Sequence, residues 1–199
     1  MQTIIFASQN EGKIDEVKAL FAGSLFEIIT QNDLGISGVE ETGISFVENA
    51  LIKARHVAGF VNYPVIADDS GLVVDALDGA PGVISGRYAG VNATYHDNRE
   101  KLISELKKKK LSRTKASFHS LMVAIQNKND PTPIICHGVW HGEVIDTCKG
   151  DNDFGYCPMF YVPEFKCTIG EMDDSTKNLS SHRYHAVNQI KQELSNYYQ

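Results

Sequence analysis

Short apolar runs and helical spacings alternate at the start of the chain and predict a β-α-β unit. Thr3–Ser8 is rich in β-forming residues and ends at a polar turn. Behind that turn the apolar side chains recur at helical spacing, at Ile14, Val17, Leu20 and Phe21. Phe26–Thr30 then has the composition of a second strand. This order of elements indicates an α/β fold.

A second helix is predicted behind a capping box. In this motif Ser45 and Glu48 lie three residues apart, and each side chain accepts a hydrogen bond from the backbone amide of the other residue. The apolar content of the segment predicts a helix that runs to about Val57–Gly59.

Two carboxylates interrupt the next apolar run. Val65–Ala67 predicts a short buried strand, and we expect Asp68-Asp69-Ser70-Gly71 to end it. Leu72–Leu77 resumes the apolar run, and Gly79-Ala80-Pro81-Gly82 has the composition of a loop.

The second half of the chain follows a different pattern. Residues 95–110 predict a helix, and three strand-like runs follow it, at Ser117–Ile125, Pro133–Val139 and Glu143–Thr147. Their short connections favour an antiparallel meander, because antiparallel strands can be joined by a short turn. A last helix is predicted over about His185–Tyr197. The expected fold is α/β, a two-lobed single domain on a mixed, twisted central sheet with a cleft between the lobes.

Composition narrows the class of protein. Of the 199 residues 42% are hydrophobic and 22% charged, which predicts a globular protein and excludes disordered and fibrous classes. At this length we expect a single domain over residues 1–199. The formal net charge of −6 argues against a protein that coats nucleic acid by bulk electrostatics. Residues 101–115 carry a local excess of lysine, which we interpret as the solvated end of a helix.

The sequence also indicates a compartment. No stretch has the length of a membrane span, and the start MQTIIFASQN lacks the basic and long apolar regions of a secretory signal. The four cysteines form no CxxC pair and no zinc-like spacing with histidine, which favours free thiols in a reducing compartment. We therefore expect a cytoplasmic protein whose partners include no membrane and no nucleic acid.

The first polar turn is a candidate anion site. It lies between a strand and a helix N-terminus, where free backbone amides and the helix dipole favour a negative group. Ser8, Asn10 and Lys13 place a hydroxyl, an amide and an ammonium there, which suits a phosphate. The turn is not a Walker loop, since GxxxxGK[ST] is absent, and the alternative is that Ser8 only caps the helix.

Carboxylates supply a candidate metal site. Asp68 and Asp69 follow an apolar strand, and Mg²⁺ typically binds one or two carboxylates together with substrate phosphates. Glu41 precedes the capped helix and could complete the site, although spacing does not distinguish it from Glu40. Lys53 on that helix could reach the same cluster. The alternatives are a strand-end turn capped by aspartate and an ordinary helix lysine.

Two further segments carry candidate base-binding groups. Gly150–Phe160 crowds Gly, Pro and aromatic residues into a loop that could stack a ring on a base or could close over the core. Ser181-His182-Arg183 offers a histidine and a planar guanidinium before the last helix. It belongs to no hydrolase triad of the nucleophile-elbow type, since GxSxG is absent.

Motifs from all these segments follow one another along nearly the whole chain: Ser8-Gln9-Asn10-Glu11-Gly12-Lys13, Glu41-Thr42-Gly43, Phe46, Glu48-Asn49-Ala50, Lys53-Ala54-Arg55, Ala67-Asp68-Asp69-Ser70-Gly71-Leu72, Gly79-Ala80-Pro81-Gly82, Arg87-Tyr88-Ala89-Gly90, Phe154-Gly155-Tyr156, Pro158, Phe160, Lys177 and Ser181-His182-Arg183. In this order they resemble the inosine triphosphate pyrophosphatase family, known in bacteria as dITP/XTP pyrophosphatases. The resemblance implies hydrolysis of noncanonical purine nucleoside triphosphates (ITP, dITP, XTP) to the monophosphate and pyrophosphate. It also implies Mg²⁺ as the cofactor and a homodimer as the assembly.

The resemblance assigns the phosphate and metal groups. Residues that would hold the triphosphate are Ser8, Asn10, Lys13 and Lys53. Glu41 and Asp69 would bind or orient Mg²⁺, with Asp68 alongside. Asp69 would also accept a proton from the water that attacks the α-phosphorus.

The resemblance assigns the base-binding groups as well. Phe154 would stack on the base. The purine ring and its 6-keto edge would be read by Lys177, His182 and Arg183. Further contacts with the substrate would come from Ser70, Gly155, Tyr156 and Cys157.

Two positions depart from the family pattern. Cys157 stands where the family usually has aspartate, and Asp153 stands where glycine is usual. Because a thiol accepts hydrogen bonds only weakly, we expect an active enzyme with altered discrimination between bases. The alternatives are a purine nucleotide sensor of the same fold without catalysis, and a general Mg²⁺-dependent phosphatase that releases orthophosphate.

Overall fold

The computed structural model describes residues 1–198. Its strands are β1 Gln2–Phe6, β2 Phe26–Thr30, β3 Val65–Val74, β4 Arg113–Ile125, β5 Ile134–Ile145, β6 Phe160–Val162 and β7 Cys167–Thr168. Its α-helices are α1 Glu11–Phe21, α2 Phe46–Val57, α3 Tyr95–Lys108, α4 Asp174–Ser180 and α5 His182–Tyr197. The strands form one mixed sheet in the order β2-β1-β3-β4-β5-β6-β7, which confirms the predicted α/β class. No helix within residues 1–198 is long and apolar enough to cross a membrane.

The chain divides into two compact units. The first unit contains Met1–Asp69, Ser120–Gly138 and His182–Gln199. The second contains Ser70–His119 and Val139–Ser181.

The first unit has helices on both faces of its strands. Strand β1 pairs in parallel with β2 and with β3. Ile4 and Phe6 pack with apolar residues of α1 and α5, whereas Ile5 and Ala7 pack with α2. This alternation follows from the strand period of two, and burial on both faces explains the continuous apolar run over residues 4–7.

The second unit has one apolar core. Leu102, Ile103 and Leu106 on α3 belong to it, as do Trp140 and Phe160. Strand β6 pairs antiparallel with β5 and with β7. These pairs are not the predicted meander, because the runs Pro133–Val139 and Glu143–Thr147 belong to the single strand β5. Strands β6 and β7 are too short to show a pattern in the sequence.

Two predicted strand ends were wrong. Strand β3 continues through Asp68-Asp69-Ser70-Gly71, because the carboxylates have charged partners and the backbone keeps its strand conformation. Strand β5 continues through Gly142, where a Cβ atom would lie 2.4 Å from the Phe160 ring. The glycine therefore allows β6 to approach β5 closely and does not form a turn.

Other bounds agree more closely. The capping box of Ser45 and Glu48 is present, and α2 ends at Val57 as predicted. Helix α5 begins at His182, three residues before the predicted start. Helix α3 ends at Lys108, so the lysine run lies at a helix C-terminus, where the helix dipole favours positive charge.

Gly138 on β5 lets the strand contact the first turn of α5. A Cβ atom at Gly138 would lie 1.9 Å from the carbonyl oxygen of His182 and 2.7 Å from the amide nitrogen of Ala186. We expect Gly138→Ala to lower the free energy of unfolding by about 1–3 kcal/mol, because two backbone segments must move apart. Denaturant unfolding followed by circular dichroism measures this loss.

Gly86→Ala is the matched control. A Cβ atom at Gly86 would have no heavy atom within 4 Å. Equal unfolding midpoints for the two variants would contradict the close contact between β5 and α5.

Candidate active site

Asn10 caps the helix at the first polar turn. Its side-chain oxygen accepts a hydrogen bond from the Lys13 amide at 3.1 Å. The Ser8 hydroxyl oxygen in turn accepts from the Asn10 amide at 3.3 Å. Ser8 therefore supports the capping residue, and the alternative that Ser8 itself caps α1 is wrong. Lys13 lies in the first turn of α1, where the helix dipole favours anions.

Asp68 is fully buried among hydrogen-bond donors. The Lys13 ammonium lies 3.2 Å from Asp68 Oδ2, and the Ser120 hydroxyl donates to Oδ1 at 2.6 Å. The Arg183 guanidinium approaches Oδ2 at 3.4 Å and also pairs with Glu16. Burial alone would raise the pKa of Asp68, but Lys13 and Arg183 outweigh it and hold that pKa well below its usual range.

Asp69 forms a separate set of contacts. The Lys53 ammonium lies 2.8 Å from Asp69 Oδ1 and 3.2 Å from Glu41 Oε1. The Asn49 side-chain amide donates to Asp69 Oδ2 at 3.4 Å and accepts from the Gly43 amide at 2.8 Å. One ammonium thus joins two carboxylates, and one amide ties the segment after Glu41 to Asp69.

The two neighbouring aspartates have different surroundings because strand side chains alternate between faces. Ile66 packs with α1 and α5, and Asp68, two residues later, meets Lys13 of α1 and Arg183 of α5. Asp69 meets Lys53 of α2 on the other face. This arrangement separates the two negative charges and gives each its own cation.

Burial also affects the charged groups around Asp69. Burial raises the pKa of Asp69 above its ordinary value even though Lys53 is adjacent. Burial alone would lower the pKa of Lys53, but Asp69 and Glu41 outweigh it and raise that pKa. Burial lowers the pKa of Lys13, and the positive charges of Lys53 and Arg183 add to this lowering against the opposing effect of Asp68. Two buried ammonium groups, Lys13 and Lys53, are suited to a ligand with several negative charges.

Phe154 in the second unit is held by two neighbours. Its ring meets Tyr95 of α3 edge to face, with the ring centres 5.3 Å apart. The Lys177 ammonium lies 5.9 Å from the centre of the Phe154 ring. The predicted stacking ring and one predicted base-reading cation are therefore neighbours.

Other predicted contacts of this loop are buried. The Tyr156 hydroxyl donates to the Ser85 carbonyl at 2.9 Å, and the Tyr156 and Cys157 side chains belong to the core of the second unit. Gly155 adopts a positive φ of 56°, which glycine accommodates without strain. Ser70 is half-buried on β3.

The remaining predicted residues lie near helix starts and ends. Lys177 is in the last turn of α4, and His182 begins α5. His182 is half-buried, whereas Arg183 is 3% exposed and has carboxylates as its described partners.

Three residues of these clusters were not among the predicted site residues. Ser120, Asn49 and Glu16 each contact a predicted site residue. Asn49 alone had a usable signal, since it is a polar residue on the buried side of an amphipathic helix. Among residues 1–198 no three His, Cys, Asp or Glu side chains converge as a metal-binding cluster. All four cysteines are free thiols, as predicted.

The chain is similar to known proteins along nearly its whole length. The Ham1 family model matches residues 4–193. Proteins named dITP/XTP pyrophosphatase from Photobacterium profundum and Legionella pneumophila are 43% and 46% identical to it, and the matches cover 96% of this chain and 96% and 97% of theirs. The structure of a HAM1 protein from Coxiella burnetii has a TM-score of 0.92 at 45% identity and covers 98% of this chain and 100% of its own. The Staphylococcus aureus Ham1 protein has a TM-score of 0.85 at 37% identity, with coverage of 98% and 99%.

Proposed function

The chain belongs to the Ham1 family, and we propose that it hydrolyses noncanonical purine nucleoside triphosphates such as dITP, XTP and ITP to the monophosphate and pyrophosphate. The observation that carries this proposal is the identity of 43–46% over 96% of the chain to relatives named dITP/XTP pyrophosphatase. The charged groups described above supply the chemistry that such a reaction requires.

Lys13 and Lys53 would bind the triphosphate. Both ammonium groups are largely buried, and each is paired with a carboxylate of β3. Ser8 and Asn10 would add a hydroxyl and an amide at the start of α1, where first-turn backbone amides favour an anion. Because buried cations interact more strongly with phosphate than exposed ones do, these groups would bind a triphosphate despite the negative net charge of the protein.

Asp69 is the proposed proton acceptor. Its two carboxylate oxygens meet Lys53 and Asn49, which fix the orientation of the carboxylate plane. A fixed carboxylate can take a proton from water as that water attacks the α-phosphorus, and pyrophosphate then leaves. Asn49 is a positioning residue in this proposal, since it acts on the reaction through Asp69.

Glu41 and Asp69 fit a hard divalent cation. The Lys53 ammonium lies between the carboxylates of Glu41 and Asp69, so these oxygens already accommodate a positive group. Mg²⁺ needs only one or two carboxylates when substrate phosphates complete its coordination, and when bound it neutralises phosphate charge. Asp68 has Lys13, Ser120 and Arg183 as partners, which favours a role in orienting those cations beside the metal.

Phe154 would stack on the purine base, and Lys177, His182 and Arg183 would recognise its 6-keto edge. A 6-keto oxygen accepts hydrogen bonds, whereas the 6-amino group of adenine donates them. A site built of donors would leave a donor unpaired against adenine, at a cost of about 1–3 kcal/mol for each buried group. Arg183 has a second role in this proposal. Its contacts with Asp68 and Glu16 fix the carboxylate of Asp68, which in turn pairs with Lys13.

The assembly follows from the resemblance alone, whereas the compartment also has the free thiols in its support. We propose a homodimer that acts in the cytoplasm. Size-exclusion chromatography with light scattering measures the assembly, and a monomer at micromolar concentration would contradict it.

A product assay tests the proposed function. The protein is incubated with ITP, XTP, dITP, GTP or ATP and Mg²⁺, and the products are separated by chromatography. We expect monophosphate and pyrophosphate from the first three substrates, with much slower turnover of ATP, whose 6-amino group donates where a 6-keto oxygen accepts. Release of orthophosphate, or tight binding without turnover, would contradict the proposal.

Cys157→Asp tests the departure from the family pattern. The Cys157 amide donates to the Phe154 carbonyl at 3.1 Å, so position 157 is tied to the proposed stacking residue. We expect the kcat/KM ratio of ITP over GTP to rise roughly three- to tenfold. This factor corresponds to the free energy of one hydrogen bond accepted by the new carboxylate. Steady-state kinetics with both nucleotides measures the ratio.

Cys157→Ser serves as the control, because it keeps the size of the side chain and adds no carboxylate. An unchanged ratio in Cys157→Asp would show that the thiol does not limit base selection.

A further inference from the structure

Arg99 on α3 directs its guanidinium at one loop. The side chain is only 5% exposed. Because arginine is rarely buried unless it is paired, such burial requires hydrogen-bond partners. Its Nη1 group donates to the Asp153 carbonyl at 3.0 Å and to the Gly155 carbonyl at 2.8 Å. Its Nη2 group donates to Asp153 Oδ1 at 2.5 Å. The guanidinium thus fixes the residue before and the residue after Phe154.

The same helix also holds the ring between these two residues. Tyr95 lies one helical turn before Arg99, so both side chains project from the same side of α3. Tyr95 contacts the Phe154 ring, while Arg99 binds the backbone on either side of that ring. Helix α3 therefore sets both the ring and the backbone position of Phe154.

Further hydrogen bonds close the loop on itself. The Phe154 amide donates to the Asn152 side chain at 3.2 Å, and the Asn152 amide donates to the Gly170 carbonyl at 3.2 Å. These bonds fix the start of the loop. The carbonyls of Asp153 and Gly155 lie beyond them, and Arg99 binds both.

We propose that Arg99 is a positioning residue for base binding, that Asp153 is its ionic partner, and that together they set the affinity for the purine base by presenting Phe154. This inference rests on the proposed function, because it takes Phe154 as the stacking residue. The contacts of Arg99 with Asp153 and Gly155 form what we call the loop clamp. Asp153 stands at a position where the resembled family usually has glycine, so the ionic part of this clamp is a feature of the present chain. Its carboxylate neutralises a guanidinium that would otherwise be a buried, uncompensated charge.

The proposal predicts a particular kinetic effect. Arg99→Lys keeps the charge but loses the planar fork that binds two carbonyls and a carboxylate at once. We expect KM for ITP to rise roughly tenfold with kcat within about twofold of the unaltered protein, because base stacking contributes to ground-state and transition-state binding alike. Asp153→Asn is expected to raise KM in the same direction by a smaller factor. Arg113→Lys is the matched control, since Arg113 also pairs with a carboxylate, Glu143, but does not contact the loop.

Inhibition by inorganic tripolyphosphate separates base binding from a general structural effect. Tripolyphosphate has no base, so its inhibition constant is expected to be the same in Arg99→Lys and in the unaltered protein. If Arg99→Lys raises the inhibition constant for tripolyphosphate and KM for ITP by the same factor, the proposal is overturned. An unchanged KM for ITP also overturns it.

A binding measurement distinguishes this proposal from the proposed function. If the unaltered protein binds ITP but does not hydrolyse it, the proposed function fails, and the dissociation constants for ITP by calorimetry replace KM in the comparison. A roughly tenfold larger dissociation constant for ITP in Arg99→Lys then supports the proposal, and equal dissociation constants overturn it. An unaltered protein that does not bind ITP overturns both.

Discussion

Asp69→Asn is expected to lower kcat for ITP roughly 100- to 10,000-fold, the usual contribution of a general base. Asparagine has the size of aspartate and keeps an oxygen for Lys53, but it cannot take a proton from water. Lys53 still has Glu41 as a partner in this variant, so the ammonium is not left without a counter-charge. The loss should therefore appear in turnover much more than in folding.

Pyrophosphate release measures the turnover of this variant, and thermal unfolding measures its stability. Asp15→Asn is the matched control, because Asp15 is an exposed aspartate on α1. Full turnover by a folded Asp69→Asn protein would falsify the assignment of Asp69 as the base.

The elements predicted best are those whose signals are local. The strand Phe26–Thr30 agrees with β2 at both ends, and the capping box of Ser45 and Glu48 sets the start of α2. In both cases the residues that define the element lie within a few positions of one another. Strand β3 was cut short in the prediction because the charges of Asp68 and Asp69 look like a strand end when their partners are unknown.

Those partners come from distant parts of the chain. Lys13 lies on α1 and Arg183 on α5, and both meet Asp68 of β3. Motif matching identified all three residues, but only the folded chain shows that the two lysines, Lys13 and Lys53, pair with different aspartates. Strand alternation accounts for this division, because β3 continues through both aspartates.

The loop clamp illustrates the opposite case. Arg99 belongs to no recognised motif, and 54 positions separate it from Asp153. Asp153 departs from the pattern of the resembled family, yet the sequence does not show which cation it meets. A contact of this kind depends on tertiary packing, which no local period encodes.

The distribution of charge also has a physical meaning that the net value of −6 conceals. Buried cations at Lys13, Lys53 and Arg183 are each matched by carboxylates on β3 or nearby. Because paired charges are less costly to bury than single ones, this matching lets the cations remain in place before a phosphate binds. The carboxylates of Asp68, Asp69, Glu41 and Glu16 thus stabilise the buried cations.

Asp68→Asn should have the largest effect on stability. Asp68 is fully buried, and Lys13 and Arg183 both depend on its charge. Asparagine keeps an oxygen for Ser120 but removes the negative charge, so Lys13 and Arg183 lose the carboxylate that they share, and Glu16 stays paired with Arg183. We expect the free energy of unfolding to fall by about 3–5 kcal/mol, the usual cost of removing one partner from a buried ion pair.

Denaturant unfolding measures this loss, and Asp15→Asn again provides the control, with an expected change within about 0.5 kcal/mol for an exposed site. Arg183→Met in the Asp68→Asn background tests the cause. If uncompensated cations destabilise the variant, removing one of them should recover part of the lost stability, since the guanidinium no longer needs a counter-charge. Additive losses from the two substitutions would show instead that Asp68 and Arg183 stabilise the fold independently.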